Sequence, residues 1–140
     1  MTPTEAATAL AVISLAATGC GGGGSPEEAV ETFNGHMAAK DFERAAAVVY
    51  LREWAGLPAA DVGARRAAYA GYLAKQYDDE GLDYGRAEIT GREKAGPDAV
   101  EFVVIYPPRS RPAAARVTRA MAVTRIDGLW YYVPGRRQKF

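Results

Sequence analysis

The sequence TRIDGLWYYV, residues 124–133, predicts two β-strands joined by a two-residue turn. The dipeptide Asp127-Gly128 favours a hairpin turn in which both central residues take positive φ angles. Strands are predicted on either side of it, over Ala115 to Ile126 and over Leu129 to Val133. The chain therefore ends in an antiparallel hairpin.

Two more strands are predicted immediately upstream of the hairpin. Residues 84–94 and 99–106 alternate with a period of two, and the second of these segments is rich in β-branched and aromatic residues. Gly96-Pro97-Asp98 supplies the turn between them. Residues 107–112 carry three prolines and cannot continue a central strand, so a connecting loop is expected there.

Three helices are predicted before the strands. Ser25 and Glu28 form a capping box with Pro26 at the first helical position, so the first helix should run from Pro26 to about residue 40. Asp41 can cap a second helix that extends to about residue 53. A third is predicted to begin weakly at Pro58 and to end near residue 79. Helices followed by antiparallel strands predict an α+β domain with three helices packed on one face of a curved sheet.

The N-terminus has the features of an exported lipoprotein. The apolar run at residues 6–17 is too short to span a bilayer and is typical of a signal-peptide core. The segment LAATGC, residues 15–20, resembles a lipobox, in which small residues precede a cysteine that receives diacylglycerol. We expect a signal peptide over residues 1–19, lipid attachment at Cys20, a flexible glycine-rich tether over residues 20–25 and a folded domain over residues 26–140. The mature protein would then be anchored on the extracytoplasmic face of the membrane.

Composition limits the kinds of site that this chain can hold. One cysteine and one histidine exclude an intramolecular disulfide and a His-rich metal site, and no cofactor is expected. Charge is unevenly distributed: residues 27–101 carry fifteen acids and nine bases, whereas residues 102–140 carry eight bases and one acid. Either the two parts complement each other within one domain, or the basic part binds an anionic ligand or surface. Nucleic acid is not an expected partner of an exported protein.

The candidate pocket residues come from the third helix and the last two strands. Tyr69 and Tyr72 lie on the predicted inner face of the helix, together with Ala68, Leu73 and Gln76. Trp130 and Tyr132 share one face of the last strand, and Arg119 shares the inner face of the preceding strand with Val117, Met121 and Val123. A guanidinium at that position must pair with an acid, reach solvent or meet an anionic ligand.

Three short segments carry a resemblance to a known family. SPEEAV at residues 25–30, KDFERA at residues 40–45 and IDGLW at residues 126–130 resemble the NTF2-like domains of small bacterial lipoproteins, the DUF4878-type group. The resemblance covers residues 25–133 and implies a cone of three helices against a curved antiparallel sheet, often with a cavity at its wide end. It implies no particular activity.

Three functions follow as alternatives. The first is a non-catalytic envelope lipoprotein that binds a small anionic ligand, a peptide or an envelope protein through the cone. The second is an enzyme similar to the ketosteroid isomerases and dehydratases of the NTF2-like group, for which Asp83 is the one acid that the sequence does not place in an outward position. The third is a structural accessory domain of an envelope complex. No catalytic set is predicted, and an interior filled by Tyr69, Trp130 and Tyr132 would favour the two non-enzymatic functions.

Overall fold

The computed structural model describes residues 22–110 and 115–135. The predicted signal peptide, the predicted lipid site at Cys20 and the basic C-terminal residues 136–140 lie outside the described residues. The helices are α1 (Pro26–Ala38), α2 (Phe42–Ala47) and α3 (Ala59–Glu80), with short 3₁₀ turns at Arg52–Trp54 and Tyr84–Arg86, and the strands are β1 (Glu88–Gly96), β2 (Ala99–Tyr106), β3 (Val117–Ile126) and β4 (Leu129–Tyr132). None of the described helices is long and apolar enough to cross a bilayer.

The four strands form one antiparallel sheet in the order β1-β2-β3-β4. The predicted two-residue turn joins the last two strands, since Asp127 and Gly128 have φ angles of 52° and 86°. Alternate residues of β2 point to opposite sides, with Phe102 and Val104 fully buried and Val103 exposed. The helices cover the buried side, so the described domain is α+β with a helical layer on one face of the sheet.

The capping interactions predicted at the start of α1 are present, except that one hydrogen bond reaches the residue before the expected one. The Ser25 hydroxyl accepts a hydrogen bond from the backbone N–H of Glu28 at 3.1 Å. The Glu28 carboxylate reaches back to the N–H of Gly24 at 2.6 Å, one residue before the position that a capping box uses. Both interactions satisfy backbone donors and hold the entering chain against the helix.

The second helix is shorter than predicted. It ends at Ala47, and the next residues run beside β4 instead of continuing to residue 53. The N–H of Tyr132 donates to the carbonyl of Val48 at 2.8 Å, and the N–H of Tyr50 donates to the carbonyl of Tyr132 at 2.9 Å. These bonds to a distant strand replace the helical ones, and the following turn places Trp54 in the core with none of its surface exposed.

The third helix lies within one residue of its predicted bounds, but its inner face is rotated. Tyr69 and Leu73 are buried as predicted, but Ala68 is exposed and Tyr77 is buried. The helix continues to Glu80, and the first strand starts later than predicted because Asp83 caps a 3₁₀ turn through the N–H of Gly85 at 3.1 Å. The pattern in residues 84–86 was therefore a turn, and β1 begins at Glu88.

The described part of the glycine-rich segment is not a free tether. Gly23 exchanges two backbone hydrogen bonds with Trp130, at 2.8 and 2.9 Å. Gly24 is held by the Glu28 carboxylate, as described above. The pairing of Gly23 with the edge of β4 places residues 22–25 of the predicted tether against the domain, whereas residues 20 and 21 lie outside the described residues.

Candidate functional site

A polar cluster lies where the last turn of α3 meets the first half of β3. We call it the mouth and define it by Tyr72, Gln76, Glu80, Tyr84 and Arg119. The helix supplies three of these side chains at i, i+4 and i+8, which places them on one side of α3. The 3₁₀ turn that follows the helix brings Tyr84 back onto the same side.

Glu80 is the centre of the hydrogen-bonding network at the mouth. Its Oε2 accepts from the Arg119 guanidinium at 2.8 Å, and its Oε1 accepts from the Tyr84 hydroxyl at 2.9 Å. The Gln76 amide donates to both Glu80 and Tyr84, at 3.4 and 3.3 Å. Both carboxylate oxygens are therefore occupied by donors.

Arg119 faces inward, as the alternation of β3 predicted. Its side chain is 23% exposed, and its guanidinium lies 5.3 Å from the centre of the Tyr106 ring. Burial disfavours the Arg119 cation, but the Glu80 carboxylate and the Tyr84 hydroxyl outweigh burial and raise the pKa of Arg119. Of the three expectations for this residue, pairing with an acid within the domain is the one that the structure shows.

Aromatic rings fill the space below the mouth. Tyr84 and Tyr106 meet edge to face at 5.1 Å, and Phe33 meets Tyr132 at 4.9 Å. The Tyr106 hydroxyl donates to the Asn34 side chain at 2.9 Å, which satisfies both buried polar groups. These contacts leave the centre of the cone packed with side chains.

Burial in this cluster keeps the tyrosine hydroxyls protonated. Desolvation raises the pKa of Tyr132 to about 12, against a partly opposing effect of the nearby Arg119 charge. Desolvation also raises the pKa values of Tyr69, Tyr84 and Tyr106. The hydroxyls therefore act as neutral hydrogen-bonding groups at any physiological pH.

The structure brings together four of the five predicted pocket residues. Tyr69, Tyr72, Tyr132 and Arg119 belong to the mouth or to the aromatic cluster beneath it. Trp130 does not, because it pairs with Arg125 at the other end of β3, with the Arg125 guanidinium 5.6 Å from its ring. Six residues of strand separate Arg119 from Arg125, which corresponds to about 20 Å. Trp130 is partly buried and packs against the edge of the core, apart from the mouth.

Sequence reasoning missed Glu80 and Tyr84, the two residues that contact Arg119. Glu80 ends the acidic run Asp78-Asp79-Glu80, where only one of three adjacent acids can face the sheet. Tyr84 was read as the start of a strand. Counting in steps of four from Tyr72 through Gln76 would have identified Glu80 as the acid on the inner side.

Asp83, the acid left open as a catalytic base, has a structural position. It accepts from the N–H of Gly85 and lies 3.7 Å from Arg86 in a surface ion pair. Among residues 22–110 and 115–135, no cluster of His, Cys, Asp and Glu could hold a metal ion.

Two open grooves lie on the described part of the domain, and the larger one reaches the buried residues Val30, Asn34 and Tyr84. One, of about 480 Å³, runs between α1 and the edge strand β1 and is lined in part by Glu31, Asn34 and Ile89. The other, of about 340 Å³, lies near Arg86 and Arg116. Neither encloses a side chain that could serve as a buried acid or base.

A solved structure matches the fold described above. It is the crystal structure of a proposed NTF2-like transpeptidase from Campylobacter jejuni, with a TM-score of 0.53 and 12% sequence identity. The match covers 79% of this chain and 99% of that chain. The likeness shows that the domain has an NTF2-like fold. No family model matches the chain, and no curated protein shows significant similarity to it.

Proposed function

We propose that this chain is a lipoprotein anchored through Cys20 on the extracytoplasmic face of the membrane, and that its NTF2-like domain is a non-catalytic binding module. The observation that best supports the second part is the filled interior of the cone. Trp54, Tyr69, Tyr106 and Phe33 are each at most 1% exposed, so these four large rings lie in a packed core.

The acids near the interior also lack the environment of a general base. A general base must reach a substrate proton in a pocket that is shielded from water. Glu80 accepts from Arg119 and Tyr84 on its two oxygens, and Asp83 caps a turn at the surface. This arrangement supports a binding role over an enzyme of the isomerase or dehydratase type.

The activity proposed for the Campylobacter jejuni protein finds little support in this chain. Acyl transfer through a serine requires a base beside the nucleophile. Of the described serines, Ser25 caps α1 and Ser110 lies in the loop after β2, and neither is hydrogen-bonded to His36 within the described part of the chain. His36 is three turns along α1 from Ser25, about 16 Å away.

The mouth is the surface that we propose for recognition. Tyr72 and Gln76 are partly exposed there, beside the half-shielded Arg119 and Glu80 pair and the exposed Val117. An anionic small ligand would have to displace the Glu80 carboxylate from Arg119. A protein partner needs no such exchange, because it can cover the neutral pair and hydrogen-bond to its outer edge, so we favour an envelope protein as the partner.

The first test concerns the anchor. Cys20→Ser should move the protein from the membrane fraction to the soluble fraction, and the N-terminal peptide of the parent should carry the mass of a lipid. Two or more acyl chains give stable anchoring, at about 0.8 kcal/mol per buried CH₂. An unmodified N-terminal peptide in the parent protein would contradict the lipoprotein proposal.

The second test concerns the mouth. A photo-crosslinking residue replacing Gln76 should yield a discrete protein adduct in intact cells, because this side chain borders the proposed contact surface. The matched control replaces Glu93, an exposed residue of the edge strand β1. Equal adducts from both positions, or none from position 76, would show that the mouth is not the recognition surface.

A further inference from the structure

The segment Gly22–Gly24 enters the fold as an addition to the edge of β4. Besides the two backbone hydrogen bonds between Gly23 and Trp130, Gly22 packs directly on the outer side of the hairpin. The nearest atoms to a Cβ at Gly22 would be the Leu129 Cβ at 2.8 Å and the Tyr131 ring at 3.2 Å. The chain therefore leaves the domain over the outer face of the β3–β4 hairpin.

Close contact explains these glycines better than flexibility does. Gly22 has a φ of 70°, which disfavours other residues, and any side chain there would collide with Leu129. A Cβ at Gly23 would lie 2.9 Å from the backbone nitrogen of Ala29. Glycine at both positions allows the segment to lie flat on the hairpin and on the start of α1.

The distance from this docked segment to Cys20 is short. Two peptide units separate the Cα atoms of Cys20 and Gly22, so they are at most about 7.6 Å apart. A lipid on Cys20, which is part of the function proposed above, would thus be attached within about 8 Å of Gly22, which itself lies on the hairpin. A fully flexible tether of six residues would have left the orientation of the domain free.

We propose that the hairpin end of the domain faces the bilayer, with the surface formed by Tyr50, Arg66, Leu129 and Tyr131 lying against the lipid headgroups. The side chains of this surface are of the kinds found at lipid headgroups. The Arg66 guanidinium lies 5.9 Å from the Tyr50 ring and 5.7 Å from the Tyr131 ring, and both rings are partly exposed. Amphipathic aromatic rings beside a cation are enriched at the boundary between hydrocarbon and water.

This orientation points the mouth away from the membrane. Arg119 and the hairpin turn lie at opposite ends of β3, about 25 Å apart along the strand. The membrane would hold one end of the domain while the mouth remained open to partners.

The test uses the full lipidated protein and a single introduced cysteine. Cys20 is the only cysteine in the chain and would be consumed by the lipid, so Asp127→Cys and Thr118→Cys each offer one thiol for a fluorescent label. Position 127 is exposed in the hairpin turn, and position 118 is exposed at the far end of the same strand. In vesicles of phosphatidylethanolamine and phosphatidylglycerol that carry a headgroup nitroxide, we expect at least twofold stronger quenching at position 127.

A matched variant separates docking from the anchor itself. Twelve Gly and Ser residues inserted between Gly21 and Gly22 lengthen the tether but leave the docked residues in place, and should abolish the difference in quenching. Equal quenching at positions 127 and 118 in the uninserted, lipidated protein would overturn the orientation while leaving the lipoprotein proposal intact. Absence of the lipid by mass spectrometry would overturn both, so the two failures are distinguishable.

Discussion

Arg119 and Arg125 lie on the same face of β3, and each forms an ion pair with an acid from another part of the chain. Arg119 bonds to Glu80 at 2.8 Å, and Arg125 bonds to Asp98 at 2.6 Å. Their surroundings differ, since the Arg119 side chain is 23% exposed and the Arg125 side chain 49% exposed. Burial, and not the contact distance, distinguishes the two ends of this strand.

The two pairs should therefore contribute unequally to the stability of the domain. At the Arg119 end, loss of one partner leaves a desolvated charge above the aromatic cluster. At the Arg125 end, water can replace either partner at little cost. Both pairs join the basic C-terminal part of the chain to an acid from the preceding part, so the uneven charge of the sequence is at least partly neutralised within the domain.

The largest effect is expected from the two tryptophans, of which Trp54 is fully buried and Trp130 is partly buried. Trp54→Ala should lower the free energy of unfolding by about 3–5 kcal/mol, because it removes a fully buried ring. Trp130→Ala should cost less than half of that, because the ring is only partly buried beside Arg125. Urea unfolding of the soluble Cys20→Ser protein measures both. Equal losses would contradict the assignment of Trp54 to the core and of Trp130 to the periphery.

The buried tyrosines should make the domain sensitive to alkali. The pKa of Tyr132 is raised to about 12 in the folded state and is near 10 in the unfolded state. The protonated hydroxyl therefore makes its full contribution to the free energy of unfolding below pH 10, and that contribution is lost as the pH rises towards 12. At about 1.4 kcal/mol per pH unit, the loss from this residue reaches roughly 2–3 kcal/mol.

The measurement is the urea midpoint between pH 8 and pH 12. Tyr132→Phe should flatten the decline at high pH, because the substituted ring has no hydroxyl to ionise. An unchanged slope in this variant would show that the Tyr132 hydroxyl is not desolvated.

The next largest loss of stability is expected when each of the two arginines is replaced by methionine. Arg119→Met should cost about 1–3 kcal/mol because it leaves the Glu80 carboxylate half-buried without its cation. Arg125→Met should cost at most about 1 kcal/mol. Adding Glu80→Gln to Arg119→Met should recover part of the loss, whereas adding Asp98→Asn to Arg125→Met should recover almost nothing. Thermal melts that showed the same cost for both arginines would remove the distinction between the two ends.

The smallest effect is expected at Asp83. Asp83→Asn keeps a side-chain oxygen that can cap the 3₁₀ turn, so the free energy of unfolding should change by less than about 0.5 kcal/mol. Adduct formation from position 76 should also stay unchanged in this variant. A loss of adducts without a loss of stability would give Asp83 a functional role that its position does not suggest.

Local signals predicted the parts of the fold that depend on neighbouring residues. The bounds of β2, the turn at Asp127-Gly128 and the cap at Ser25 all follow from short stretches of sequence. The alternation of β3 also placed Arg119 on the inner face. These features are fixed by backbone preferences within a few residues, so no knowledge of the remaining fold was needed.

The errors arose where a distant part of the chain determines the structure. Val48 leaves α2 because it bonds to β4, more than eighty residues later, and Gly23 docks on the same strand. Trp54 follows a helix and precedes Gly56 and Pro58, which is typical of a surface loop, yet it is buried by contacts with α3. Glu80 is a different case, since the helical spacing from Tyr72 and Gln76 indicates its inward position and only its partner, Arg119, lies on a distant strand.

Binding of an apolar fluorescent dye would show whether the interior of the domain is filled. Anilinonaphthalene sulfonate, titrated into the folded Cys20→Ser protein at pH 7, should show no saturable increase in fluorescence, because Tyr69, Tyr106 and Phe33 occupy the space that the dye would need. Saturable binding of one dye molecule, weakened by Tyr72→Ala or Gln76→Ala at the mouth, would show a hollow cone and contradict the account.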